Sequence, residues 1–275
     1  MKKKWIIRAL ALLLLAGAVF SSYQIYRKLQ EYRVSEEASQ QLQQYIDVTP
    51  AQPTAPPTRA TESTPATEPD PTQPTAEESV PTEPTQPPVV YPSVDFDSLL
   101  QINEDVVGWI YIDGTRINYP IVQGEDNRHY VSTMVDGRVN GAGSIFLDYR
   151  NSADFSDKHT VIYGHNMRNG TMFADILEYK DPEFQAAHPM GMLMTPGGNC
   201  QFEVVAGYVA SLADPAWQLE FVSDKDFEAW VEETMSRSMI KGTTVPEPGD
   251  RIITLSTCSY EFSEARFVLV CVVKD

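Results

Sequence analysis

Apolar and polar positions divide the chain into stretches that follow different rules. From Trp5 to Tyr26 the residues are apolar apart from Arg8 and a few small polar positions, with an unbroken run from Ala9 to Phe20. A span of about 20 such residues matches the thickness of a bilayer core. Lys2, Lys3 and Lys4 precede it, which predicts a single-pass segment with a cytoplasmic N-terminus and the remainder outside the cell. The competing reading is a cleaved signal peptide, since Ala16-Gly17-Ala18 fits a small-x-small cleavage pattern. Arg27, Lys28 and Arg33 continue a helical pattern instead. Gln24 to Tyr45 reads as a juxtamembrane stalk whose apolar residues (Ile25, Leu29, Tyr32, Leu42, Tyr45) are too irregularly spaced for a coiled coil.

Residues 47–92 hold 13 of the 20 prolines, many threonines and almost no large apolar side chains. Such a composition cannot bury enough surface to offset ordering entropy, and it predicts a disordered, polyproline-like linker. Acting as a tether, it would reach on the order of 140 Å if fully extended. The expected organisation is therefore 1–46 membrane segment and stalk, 47–92 linker, and 93–275 folded domain.

Within 93–275 the period changes to that of short strands. Runs at 109–112, 118–121, 144–147, 160–163, 190–194, 201–210, 252–258 and 266–273 are rich in β-branched and apolar residues. They are separated by turn signals such as Asp113-Gly114, Asn140-Gly141 and Pro196-Gly197-Gly198-Asn199. Eight short strands imply a mainly β domain, either a closed barrel or a sandwich. Residues 95–100 and 103–107 read as one or two short helices leading in. One longer helix falls between the sixth and seventh strands, with Ser223 as N-cap and Phe227, Trp230, Val231, Thr234 and Met235 on one face.

Charge narrows the function. The chain carries a formal net charge of −17, and 93–275 holds 13 Lys plus Arg against 28 Asp plus Glu. That argues against nucleic acid as a partner. No EF-hand or zinc spacing appears, so no metal or cofactor is expected. Three cysteines do not make a disulfide framework. Cys200 and Cys271 sit in apolar strand contexts and read as small buried hydrophobes.

Cys258 differs, because it ends the strand Thr254-Leu255-Ser256-Thr257-Cys258 and exits into the polar loop Ser259-Tyr260-Glu261. A tight hairpin centred near Phe262 would pair Cys258 with Arg266 on one face, and Cys271 with Ile253. The second pairing puts Cys271 roughly 17 Å along the strand from Cys258, too far for a disulfide. A cation beside a thiol favours the reactive thiolate. The competing role for Arg266 is a surface ion pair with Glu264 or Glu261. Among the histidines, His129, His159 and His188 lie in charged or polar contexts and read as surface residues. His165 instead follows Gly164 at a strand end, where a rigid base displays functional side chains.

The segments Tyr163-Gly164-His165-Asn166, Thr254-Leu255-Ser256-Thr257-Cys258 and Glu264-Ala265-Arg266-Phe267, in that order, resemble the sortases, class B most of all. Gly108-Trp109-Ile110 and residues 144–151 extend the likeness to about 180 residues. The resemblance implies a closed eight-stranded barrel and a helix before the last hairpin that walls a substrate groove. It implies Cys258 as nucleophile, His165 as general acid and base, and Arg266 as oxyanion stabiliser. Ser256, Thr257 and Asn166 become candidate substrate-binding residues, Ser256 with a packing role as the alternative. Asp148 and Tyr149 fall in matching segments without an assigned role. The implied reaction cleaves a C-terminal sorting motif of secreted proteins after Thr and transfers the acyl group to a peptidoglycan amine. A pilin-polymerising sortase with a lysine acceptor, or a non-catalytic tethered binding domain, are the alternatives.

Overall fold

Alternation along the last strand shows how the domain is assembled. Phe267, Leu269 and Cys271 point into one buried cluster, and Val268, Val270 and Val272 into another. Both faces of this strand are covered, so its sequence is apolar throughout, with no in–out alternation to read. The computed structural model describes residues 2–48, 91–240, 242 and 244–274. Most of the expected linker, 49–90, lies outside them.

The described chain begins with α1 (Lys2–Leu42), a 3₁₀ turn, β1 (Ile46–Asp47), β2 (Ser93–Val94) and α2 (Phe96–Ile102). Eight further strands follow: β3 (Val106–Tyr111), β4 (Asn118–Val122), β5 (Ile145–Leu147), β6 (His159–Tyr163), β7 (Met190–Thr195), β8 (Gly198–Ala210), β9 (Ile252–Cys258) and β10 (Arg266–Lys274). They close into the barrel implied by the resemblance, in the order β10-β8-β7-β3-β4-β5-β6-β9. Helices α3 (Pro182–Ala187) and α4 (Asp224–Arg237) lie in the β6–β7 and β8–β9 connections. The segment 103–107, expected to be helical, instead leads into β3: Asn103 caps α2, and Val106 pairs with Val122.

Ile110, Ile121, Leu193, Phe202, Leu255 and Phe267 fill the barrel interior, each at most 1% exposed. Outside it, α4 starts where Ser223 accepts a hydrogen bond from the Asp226 amide and packs Phe227, Trp230 and Val231 over β8 and β10. Burying each of these side chains contributes roughly 1.5–3 kcal/mol. A third cluster, with Leu99, Trp109, Val122 and Val135, sits beneath α2 and the end of α1.

His159, expected on the surface, is fully buried in β6. Its Nδ1–H donates to the Gln218 carbonyl at 2.6 Å, its Nε2 accepts from the Thr254 hydroxyl at 2.7 Å, and Trp230 packs 4.9 Å from its ring. Burial pushes its pKa down from 6.5 to about 4. Between those values the unfolded chain binds a proton that the folded chain excludes, so stability is full above pH 6.5 and falls as pH drops toward 4. The loss is on the order of 3 kcal/mol over that range. In urea titrations His159→Gln should be destabilised at pH 7.5 and lose less than wild type between pH 6.5 and 4.5.

The stalk does not stand apart from the barrel. Tyr32, Ser35, Ala38, Ser39 and Leu42 fall on one face of α1 at three- and four-residue spacing. Ser35 and Ala38 are buried, and Tyr32 and Leu42 pack against the barrel's clusters. Asn140 Nδ2 donates to the Glu31 carbonyl at 3.0 Å. β1 then pairs antiparallel with β2, Ile46 opposite Val94, and the Asp95 amide donates to the Tyr45 carbonyl at 2.8 Å. The two ends of the Pro/Thr-rich segment therefore lie side by side, and its length does not set the separation of helix and barrel.

Candidate active site

Strand direction assembles the site. β6 and β9 run parallel, Tyr163 opposite Ser256, so both strands leave the barrel at the same end. His165 lies two residues past the end of β6, and Cys258 is the last residue of β9. β10 enters antiparallel with Arg266 opposite Cys258, the register expected from the sequence, which puts their Cα atoms about 5 Å apart. Cys271 pairs with Ile253 and is fully buried inside the barrel, where burial pushes its thiol pKa up. Cys200 is only half-buried on β8.

Three hydrogen bonds fasten the β6 and β9 exits together. The Gly164 amide donates to the Ser256 carbonyl (3.1 Å), the Thr257 hydroxyl to the Gly164 carbonyl (2.7 Å), and Asn166 Nδ2 to the Cys258 carbonyl (3.1 Å). A side chain at 164 would fail here, because a Cβ would come within 2.4 Å of Ile145 and 2.7 Å of Phe173.

His165 Nε2–H donates to the Val131 carbonyl at 2.8 Å, leaving Nδ1 for Cys258. The hydrogen bond to His165 is the main cause that lowers the Cys258 pKa; burial opposes it, and the positive charges of Arg266 and His165 assist. The hydrogen bond to Cys258 likewise raises the His165 pKa against burial, helped by the Val131 carbonyl and opposed by Arg266. Both shifts favour the thiolate–imidazolium pair over the neutral pair. Glu261, one of the expected competitors for Arg266, is held by Lys180 at 2.5 Å and by Ser259. Arg266 is half-buried, and its Nη1 donates to the Ala265 carbonyl at 3.1 Å.

Cys258, His165, Arg266, Ser256 and Thr257 line one cavity of about 400 Å³. Thr257 spends its hydroxyl on the loop fastening, and Asn166 acts on the Cys258 backbone. The Ser256 hydroxyl is buried without a hydrogen-bond partner among the described residues. An unmet polar group of that kind costs about 1–3 kcal/mol.

Other wall residues escaped the sequence reading: Asn127, Val131, Tyr163, Leu212 and Trp217. Behind two of them lies Asp148, fully buried, which accepts hydrogen bonds from Tyr163 Oη (2.9 Å), Asn127 Nδ2 (3.0 Å) and both Nε and Nη2 of Arg150. Burial pushes its carboxyl up, but these donors outweigh it and hold it below the usual range. A short-spaced acid–arginine pair, Asp148 and Arg150 around Tyr149, was the available signal.

A family model described as the sortase domain matches residues 110–274. Sortase B of Listeria monocytogenes is 39% identical over 173 residues, covering 62% of this chain and 70% of that protein. Sortase B of Staphylococcus aureus is 34% identical over 179 residues, 65% and 73% of the two chains. The structure of a Staphylococcus aureus sortase B–substrate complex matches with TM-score 0.63 and 33% identity, over 66% of this chain and 84% of that one. Clostridium perfringens sortase B matches with TM-score 0.62 and 36% identity, over 66% and 100%. A cysteine and a histidine poised on one barrel end, with relatives of this kind across the whole barrel, make the chain a member of the sortase family, a cysteine transpeptidase of the sortase B type.

Proposed function

We infer that this sortase is held in the cell membrane by α1 and attaches exported proteins to the cell wall. It cleaves their C-terminal sorting motif after Thr and passes the acyl group to a peptidoglycan amine. The observation that carries this reading is the joint placement of Cys258, His165 and Arg266 on one cavity wall beside the unpartnered Ser256 hydroxyl. The Cys258 thiolate attacks the Thr carbonyl, and the Arg266 guanidinium stabilises the oxyanion as it forms. His165 gives its proton to the departing amine, leaving a thioacyl-enzyme, and takes one from the incoming amine. Ser256 meets the motif's backbone, and Thr257 and Asn166 hold the loops that carry the thiol and the imidazole. A sortase B solved with a substrate and one solved with triglycine support a peptide donor and an amine acceptor. One helix of the described chain is long and apolar enough to cross a membrane.

The test incubates a chain beginning at Arg27, which retains the docked part of α1, with fluorogenic peptides of NPQTN, LPXTG and SPXTG type, with and without a peptidoglycan-stem amine. Cleavage accelerated by the amine, with a ligated product, is expected; no cleavage of any peptide would sink the reading. Asp148→Asn tests the cavity wall. Weakening its hold on Tyr163 and Asn127 should raise the peptide KM several-fold with little change in kcat, at a stability cost of about 1–3 kcal/mol.

A further inference from the structure

The docked half of α1 fixes where the barrel sits relative to the lipid. α1 is helical from Lys2 to Leu42 with no proline, and its apolar run ends near Tyr26. Contact with the barrel begins almost at once. A Cβ at Gly141 would lie 3.5 Å from Lys28 Nζ and 3.9 Å from Glu31 Oε2, and Asn140 holds the Glu31 carbonyl. At 1.5 Å per residue, the turn 139–141 is thus at most about 8 Å along the helix from the end of the apolar run. Next to these contacts Val139 projects from the turn 84% exposed. Arg138 precedes it in the turn and pairs with Asp136, while Lys28, beside Gly141, pairs with Glu31.

We propose that the turn 136–140 rests in the lipid headgroup layer with Val139 in the acyl boundary, so that α1 and this turn hold the catalytic barrel flat on the membrane. The proposal rests on the reading of α1 as a membrane span. The occupant is lipid because the turn sits beside the exit point of an apolar helix and offers an exposed apolar side chain next to Arg138, with Lys28 on the facing helix. Charge alone would not hold it there, because the strongly acidic domain is repelled by an anionic leaflet. The rigid helix does so mechanically.

The same connection between β4 and β5 reaches the catalytic site. Thr133 bridges Val139, and Val131, two residues earlier, takes the His165 Nε2–H. Strand spacings place His165 within about 20 Å of Val139. The nucleophile therefore works close above the bilayer surface.

The experiment reconstitutes the full chain in phosphatidylglycerol–phosphatidylcholine vesicles with a benzophenone amino acid placed singly at Phe20, Val139 or Val222. Val222 is 97% exposed before α4, in the β8–β9 connection. After irradiation, lipid adducts are read by mass spectrometry. Adducts at Phe20 and Val139 and none at Val222 are expected, with the Val139 adduct lost when Ala38→Glu prises the buried face of α1 from the barrel. An adduct at Phe20 without one at Val139 would overturn the proposal while leaving the membrane span intact. No adduct at Phe20 would overturn both. Persistence of the Val139 adduct in Ala38→Glu would overturn the role of the docked helix.

Discussion

Cys258→Ala abolishes peptide cleavage and transfer, with a loss of about 10⁴-fold or more in kcat, while the barrel stays folded. The size follows from the covalent step, since without a nucleophile only binding and oxyanion stabilisation remain, and groups acting as a unit are not additive. Folding is spared because Cys258 sits half-buried at the strand's end and its backbone carbonyl still accepts from Asn166. His165→Ala should come close to the same loss, and the double variant should add little to either. Mass spectrometry of quenched reactions provides the check: wild type accumulates a peptide thioester on Cys258, and Cys258→Ala forms none. Turnover that survives in Cys258→Ala would remove this thiol from the reaction.

Arg266→Met lowers kcat by about 10²–10³-fold, the usual scale for losing one donor to a developing oxyanion. It also moves the pH profile, which a purely structural arginine would not do. The guanidinium's charge lowers the pKa of both Cys258 and His165, so its removal raises both. Activity through a thiolate and an imidazolium is bounded below by ionisation of the thiol and above by loss of the imidazolium proton when the thiol titrates first, and by the same two values in exchanged order otherwise. In either case both limbs of the kcat/KM profile shift to higher pH. A profile unchanged in position, with kcat reduced, would mean that Arg266 acts without its charge reaching the pair.

The parts of this molecule legible from its sequence are those fixed by neighbours in the chain. The β9–β10 register followed from the centre of a tight hairpin and the period of two. The Ser223 cap and the apolar stripe of α4 announced a helix. What stayed hidden depends on partners far along the chain. His159 looked exposed beside Ser156, Asp157 and Lys158, but Gln218 and Trp230 cover it from across the fold. Val131 reaches the cavity from the β4–β5 connection, and Leu212 and Trp217 from the β8–β9 connection, with no pattern of their own. The docking face of α1 was missed because Ser35, Ala38 and Ser39 make close approach possible through small size, and a search for apolar stripes passes over them.

The pairing of β1 with β2 has a consequence for chain topology. A single cut anywhere between 49 and 90 should nick the protein without parting it, because the N-terminal piece keeps Ile46 opposite Val94 and Ala38 in its buried seat. The two fragments should co-purify and retain activity, as a protein reassembled from halves does. Replacing the whole excursion by a four-residue turn should stabilise the join by about 2 kcal/mol through reduced loop-closure entropy. The long segment should thus be free to change in length and composition without moving Cys258 relative to α1.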